Sequence, residues 1–151
     1  MSVDYIVASL PPLKFGEPAG ISAEQFAALA LRYIDAELKR WGELETQIKN
    51  AIAEARGGEK YKRPVAGCSL YWKNRALAAF QEKDILKREE LLDRVFWEAA
   101  GELTPVESPL GKGALATYAV RLQIALKRAK ISTTAGNAAF DRLTASTKME
   151  F

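Results

Sequence analysis

Histidine is absent from this sequence of 151 residues, and cysteine occurs once. Histidine is the commonest general acid or base near neutral pH and the commonest metal ligand in proteins. Its absence excludes Ser-His-Asp and Cys-His catalysis and histidine-ligated metal sites, and it leaves carboxylates and lysines as the candidate catalytic groups. The single cysteine, Cys68, excludes an internal disulfide, and a lone thiol is typical of a reducing compartment. We therefore expect a cytoplasmic protein.

Long apolar runs and a marked excess of charge of one sign are also missing. The apolar run at residues 5–10 is shorter than the ~7 to 15 residues of a signal-peptide core and far shorter than the ~20 of a membrane span. The 22 basic and 19 acidic residues give a net charge of +3, which is too even for a dedicated nucleic-acid-binding protein. We therefore expect neither direct membrane insertion nor nucleic-acid binding.

Helical periodicity is the main positive signal. Ser22 and Gln25 form the Ser-x-x-Gln pattern of a capping box, which predicts a helix start. From Phe26 onward an apolar stripe repeats with a mean spacing of about 3.6 residues and keeps its phase through Gly42. The stripe predicts one long helix over residues 23–56, with a bend or break at Gly42 left open. At ~1.5 Å per residue it would reach about 51 Å, which favours an elongated molecule.

Further helices are predicted over residues 69–81, from a cap at Asp84 to Gly101, over residues 114–130 and over residues 134–143. An exposed turn within one long helix is the alternative to a break before Asp84. The first of these helices includes the apolar residues Leu70, Leu77 and Phe80, and in the second the apolar residues Ile85, Leu92, Val95, Phe96 and Ala99 share a face. The third is predicted to face the core with Leu115, Tyr118, Ala119, Leu122, Ala125, Leu126 and Ala129, and the fourth to pack with Ala139, Phe140 and Leu143. The sequence thus predicts a single all-α domain over residues 1–151, an elongated bundle of four to six helices.

The N-terminal stretch YIVASLPPLKFGE begins like a buried strand and stops at Pro11-Pro12. No second alternating run is present with which it could pair as a sheet. We predict that residues 5–10 form either a short extended packing segment or a first helical turn, and that the prolines redirect the chain.

Catalytic and ligand-binding motifs are weak. Glu89, Glu90 and Asp93 lie among basic neighbours, which is typical of a solvated helix face rather than of a metal or catalytic site. The GKG at residues 111–113 lacks the remaining residues of a phosphate-binding loop. We interpret Cys68 as a small packing residue. The tryptophans are interpreted as core or interface anchors; they are Trp41, Trp72 and Trp97.

Two clusters of basic residues carry the only candidate site. One surrounds a predicted loop at residues 59–67, and the other lies in residues 112–130, which contain no acid. Helical spacing predicts that Arg121 and Arg128 share an outward face. A docking surface for an acidic partner is one interpretation, and a solvated face with cations favoured near a helix C-terminus is the other. The candidate partner-binding residues are Arg56, Lys60, Lys62, Arg63, Arg121, Lys127, Arg128 and Lys130.

Four segments, in order, resemble an uncharacterised bacterial family whose members are encoded among the subunits of V-type ATP synthases. They are YIVASLPPLKFGE, ISAEQF, KREELLDRVFWEAAGELT and LATYAVRLQIALKRAKISTTAGNAAF. Members of that family look like reduced relatives of the C (or d) component of V-type ATPases, an all-helical funnel that seats the central stalk on the membrane rotor ring. That funnel has three similar helical lobes, and this chain has the length of one.

The resemblance implies a non-catalytic structural or assembly component of a bacterial V-type ATP synthase, at the junction of central stalk and rotor. Its partners would be the V-type subunits, its location cytoplasmic and peripheral to the membrane, and its context proton transport. The resemblance supplies no catalytic residue, cofactor or metal. Two alternatives stay open: a stand-alone helical interaction module, and an enzyme with a carboxylate or lysine site assembled from distant helices. Homo-oligomerisation is also left open.

Overall fold

The computed structural model describes residues 2–57 and 69–149, with residues 132–149 described by their backbone alone. This part of the chain contains six α-helices and no strand, which confirms the all-α prediction. Short 3-10 turns follow the second and fifth helices, at Leu31–Tyr33 and Ala100–Leu103. The helices are α1 (Val3–Ser9), α2 (Ala23–Ala30), α3 (Asp35–Gly57), α4 (Leu70–Phe80), α5 (Ile85–Ala99) and α6 (Lys112–Met149).

The N-terminal stretch forms helix α1, so the helical alternative is the one the chain adopts. The Ser2 side chain caps α1 by accepting from the Tyr5 backbone N–H, and Ile6 is buried in the core. Beyond the helix, the Pro11 carbonyl accepts a hydrogen bond from the Tyr118 hydroxyl of α6. The first proline therefore fixes the N-terminal segment to the last helix.

A tight turn follows the double proline. The Glu17 N–H donates to the Lys14 carbonyl at 3.1 Å, and Gly16 has a φ of 84°. A positive φ at the third position is what a type II turn requires, and glycine adopts it without steric cost. The turn places Phe15 at its second position.

Phe15 binds back onto α5 and α6. Its ring lies 4.3 Å from the Arg94 guanidinium and 5.0 Å from the Arg128 guanidinium. It also meets Trp97 edge to face, with ring centroids 5.5 Å apart. Such cation–π and aromatic contacts contribute roughly 0.5–1.5 kcal/mol each. The N-terminal stretch therefore forms α1, and its Phe15 side chain anchors the segment after α1 to α5 and α6.

The predicted long N-terminal helix is wrong in one respect, because it is broken at Leu31–Tyr33 rather than at Gly42. The backbone departs from α-helical geometry at Ala30 (φ −132°) and Ile34 (φ −122°), and both side chains are fully buried. The apolar stripe continues through the break because the core holds a residue on each side of it. Asp35 then begins α3 with acidic side chains in its first turn, which favours a helix N-terminus.

Helix α4 begins close to its predicted start, and α5 begins at the predicted cap Asp84. Ser69 accepts from the Trp72 N–H, and Asp84 accepts from the N–H groups of the α5 first turn. The interruption before Asp84 is a true break between two helices. Leu70 and Ile85 are each 69% exposed, so Ile85 does not share the buried face of Leu92 and Val95 as the spacing predicts. Both occupy the first helical position, where the side chain lies beyond the packed part of the bundle.

The last two predicted helices are one continuous helix, α6. No proline separates residues 114–130 from residues 134–143. Gly136 does not end the helix, because a single glycine inside a helix costs only about 1 kcal/mol relative to alanine. At ~1.5 Å per residue its 38 residues reach about 57 Å. The element that makes the molecule long is therefore α6. Ala129 is exposed rather than in the core, and the side chains of Ala139, Phe140 and Leu143 lie outside the described residues.

The core is continuous from α1 to α6 and includes all three tryptophans, as predicted. A close junction joins the second 3-10 turn to α6, where the Thr117 hydroxyl donates to the Ala100 carbonyl at 2.8 Å. A Cβ on Gly113 would overlap the Leu103 carbonyl oxygen. Only glycine permits α6 to approach so closely at this point.

Candidate docking groove

A groove of 530 Å³ opens between α3, α5 and α6. Helix α3 contributes one wall, α5 the opposite wall, and α6 a single long side chain. The lining residues are Lys49, Ile52, Ala53 and Arg56 of α3, Glu89, Leu92, Asp93 and Phe96 of α5, and Lys127 of α6.

Both walls have the same helical spacing. On α3 and on α5 the lining residues occupy positions i, i+3, i+4 and i+7, which form one face of a helix over two turns. The helices run antiparallel, because Trp41 contacts Phe96 at one end (centroids 6.4 Å apart) while Arg56 reaches Glu89 at the other (3.8 Å). The groove is therefore about 10.5 Å long, the rise of seven residues.

The floor of the groove is apolar. Leu92 is buried, Ile52 and Phe96 are half-buried, and the small side chain of Ala53 leaves room beside them. An apolar floor with a few placed polar groups is the usual composition of a binding concavity.

The rim of the groove is mainly cationic. Lys49, Arg56 and Lys127 have side chains 63%, 58% and 53% exposed. Glu89 is 50% exposed, whereas Asp93 is only 7% exposed. A partner in solvent therefore meets three cations and one carboxylate.

The buried Asp93 carboxylate is bound from α6. Lys127 Nζ lies 2.7 Å from one of its oxygens and Arg128 NH1 lies 2.9 Å from the other. The interpretation of Asp93 as part of a solvated face is wrong, because α5 turns this residue toward α6 beside Leu92. Burial of an ionised carboxylate is unfavourable, and the two consecutive cations of α6 compensate that cost.

Arg121 also folds back against α5, contrary to the predicted outward face. Its Nε donates to the Trp97 carbonyl at 2.9 Å, and its guanidinium lies 5.4 Å from the Trp97 ring centroid. Burial lowers the pKa of Arg121 below its ordinary value, and the nearby Glu98 charge partly opposes that shift. Arg128 is 27% exposed and is held by Asp93 and Phe15. The prediction that both arginines face outward is therefore wrong.

The groove brings together one residue from each basic cluster, since both Arg56 and Lys127 line it. Lys130 is exposed one turn beyond Lys127 and does not line the groove. Three members of the first cluster lie outside the described residues, as does Cys68; they are Lys60, Lys62 and Arg63.

Sequence reasoning missed Lys49, Glu89 and Asp93 as parts of this site. Lys49 belongs to a helix whose charged residues are mixed in sign, so local charge did not single it out. A usable signal was present on α5, where Asp93 follows Leu92 directly and precedes Phe96 by three residues. A carboxylate on an apolar stripe indicates a buried partner of opposite charge.

A second concavity of 400 Å³ lies between α3 and the start of α4. Some of its polar groups already bind their neighbours: the Ser69 N–H donates to the Gln47 side chain at 2.9 Å, and Glu102 accepts from Trp72 Nε1. The larger groove is the better candidate because three exposed cations surround its apolar floor, whereas the second concavity is lined by a single cation, Arg40.

The described residues contain no cluster of three or more acidic or cysteine side chains arranged to hold a metal ion. Within the same part of the chain, no helix combines the length and the apolar character needed to cross a bilayer.

Comparison of the chain with protein-family models, curated proteins and solved structures finds no match.

Proposed function

We propose that this chain is a non-catalytic docking component of a bacterial V-type ATP synthase, bound through the α3–α5–α6 groove to an acidic surface of the complex. The observation that carries the proposal is the convergence of Lys49, Arg56 and Lys127 around one apolar floor. Arg56 and Lys127 come from basic clusters that are far apart in the sequence, and the fold places them at one site.

The physical basis is complementarity of charge combined with burial. Exposed rim cations attract and orient an acidic partner, while the apolar floor stabilises the complex once water is excluded. A groove of 530 Å³ is small, so it suits one anchoring element within a larger contact surface.

The choice of complex comes from the sequence. Two of the four segments that resemble the V-type-associated family include residues of the site. KREELLDRVFWEAAGELT contains the whole α5 wall and LATYAVRLQIALKRAKISTTAGNAAF contains Lys127, whereas the α3 wall lies outside all four segments. A place at the junction of central stalk and rotor, and thus a cytoplasmic location beside the membrane, belongs to this proposal. It assigns the chain no reaction and no cofactor.

Affinity purification from the native cell tests the proposal. The chain is tagged at its N-terminus, and the complex is isolated at low ionic strength, where surface electrostatics is least screened. We expect V-type subunits to co-purify in fixed ratio to the tagged chain. Recovery of the chain free of all V-type subunits would contradict the proposal and favour a stand-alone interaction module.

A further inference from the structure

We infer that the occupant of the groove is a short amphipathic α-helix of a partner protein, with an apolar stripe flanked by carboxylates. This inference deepens the proposed function by naming the chemistry of the contact. It rests on the shape of the walls, the polarity of the floor and the distribution of exposed charge.

The walls favour a helix. Both present side chains at i, i+3, i+4 and i+7, so the groove between them matches a helix whose apolar residues repeat at the same spacing. Within residues 2–57 and 69–149 there is no strand, and an extended peptide therefore finds no sheet edge on which to pair in the described part. The groove is two turns long, which accommodates apolar anchors at three or four positions of the partner helix.

The charges specify where the partner carries its carboxylates. Lys49 and Arg56 are seven residues apart on α3, which separates their side chains by about 10.5 Å along one edge of the groove. Lys127 lies on the other side, next to the middle of the α5 wall. Carboxylates two turns apart on one flank of the partner helix, with one between them on the opposite flank, would meet all three cations.

The existing ion pairs can rearrange to admit these carboxylates. Arg56 and Glu89 are 3.8 Å apart and both are at least half exposed, and Lys49 reaches Glu45 at 3.4 Å with the lysine 63% exposed. Exposed pairs of this kind contribute only about 0–1 kcal/mol, so exchanging them for a partner carboxylate costs little. Lys127 keeps its bond to Asp93, because an ammonium has three donors and the buried carboxylate uses one.

A nucleic acid or a lipid surface fits these features less well. A phosphate backbone has no apolar face for Ile52, Leu92 and Phe96, and a flat lipid surface does not enter a concave groove between two helix walls. An acidic amphipathic helix satisfies the floor and the rim together.

Photochemical cross-linking in the native cell tests the inference. A benzophenone amino acid replaces Ala53 on the floor, or Lys49 at the mouth, so that a second position remains if the first substitution perturbs folding. The matched control replaces Val106, which is 95% exposed in the loop before α6. We expect positions 53 and 49, but not position 106, to capture one partner segment with apolar residues at helical spacing and flanking carboxylates.

The outcomes separate this inference from the proposed function. Co-purification of V-type subunits without a cross-link from position 53 or 49 overturns the inference and leaves the proposed function standing. Cross-links to a second copy of this chain, to lipid or to a basic segment also overturn it. Capture of an acidic amphipathic helix from a protein outside the ATP synthase supports the inference and contradicts the proposed function.

A space-filling variant provides an independent measure. Ala53→Arg should weaken association with the captured protein at least about tenfold, because it fills the floor that the partner must occupy. Ala53→Ser, which changes volume little, serves as the control. Equal binding by both variants would overturn the inference.

Discussion

Lys127 Nζ lies 2.7 Å from the Asp93 carboxylate, which is 7% exposed although it stands on a helix rich in exposed charge. Arg128 binds the second carboxylate oxygen at 2.9 Å. Two cations of α6 therefore bind a buried carboxylate of α5. The same contact fixes the position of the Lys127 side chain in the groove.

Asp93→Ala should destabilise the fold by about 2 kcal/mol, because two cations lose their shared partner. The loss is smaller than for a fully buried pair, since Lys127 is 53% exposed and can return to water. Urea unfolding followed by circular dichroism measures the change. Glu89→Ala, whose pair with Arg56 is exposed, should alter stability by less than about 0.5 kcal/mol. Equal losses in the two variants would contradict the structural role of Asp93.

Arg121→Glu combined with Arg128→Glu should destabilise the protein strongly, because neither arginine has the outward orientation that helical spacing predicts. Each arginine binds α5, one at the Trp97 carbonyl and the other at Asp93. The glutamate at position 128 would also face the buried Asp93 carboxylate. We expect a lowered thermal midpoint. The matched variant Lys112→Glu with Lys130→Glu makes the same charge change at exposed positions, and its midpoint should stay near that of the wild type.

Alanine substitution at two glycines should change the free energy of unfolding in opposite directions. Gly113→Ala should cost more than about 2 kcal/mol, because the new methyl group would overlap the Leu103 carbonyl oxygen. Gly42→Ala should stabilise by roughly 0.5–1 kcal/mol, since Gly42 lies inside α3 and its added methyl group meets nothing within 4 Å. Denaturant midpoints of the two variants measure both effects. Destabilisation by Gly42→Ala would contradict the open surroundings that the structure gives Gly42.

Tyr118 should make stability depend on pH in the alkaline range. Burial raises the pKa of Tyr118 above its ordinary value. A group whose pKa is raised on folding contributes stability that is fully present below the unfolded pKa, about 10 for tyrosine, and is lost as pH rises through the folded pKa. The free energy of unfolding should therefore fall more steeply above pH ~10 in the wild type than in Tyr118→Phe.

Denaturant titrations of both proteins between pH ~8 and ~11 measure that difference. At the lower pH, Tyr118→Phe should lose about 1 kcal/mol, because the Pro11 carbonyl loses its donor. Parallel curves for the two proteins would contradict the pKa direction.

The predictable part of the fold was the part governed by local patterns. The capping box at Ser22 and the cap at Asp84 form as the sequence indicates. The break at Leu31–Tyr33 was not predictable from periodicity, because Ala30 and Ile34 keep the stripe in phase while the backbone between them tightens. Packing of both residues into the core outweighs the local preference for a continuous helix.

The candidate site was predictable only in part. Arg56 and Lys127 belong to basic clusters that the sequence singles out, and both reach the groove. The inward orientation of Arg121 was not predictable, because its partner is a backbone carbonyl at Trp97, whose position depends on how α5 and α6 pack. Side-chain partners of this kind come from tertiary structure and leave no mark in charge patterning.

Docking through the groove cations is tested most directly by the salt dependence of association with the purified V-type ATP synthase. The test variant is Lys49→Glu with Arg56→Glu, which reverses two exposed rim charges. The control is Lys14→Glu with Lys39→Glu, which makes the same net charge change at exposed lysines outside the groove. At about 50 mM salt the groove variant should bind at least about tenfold more weakly than the control, with a flatter salt dependence. Equal affinity and equal salt dependence in the two variants, or no binding by the wild type, would contradict docking through this groove.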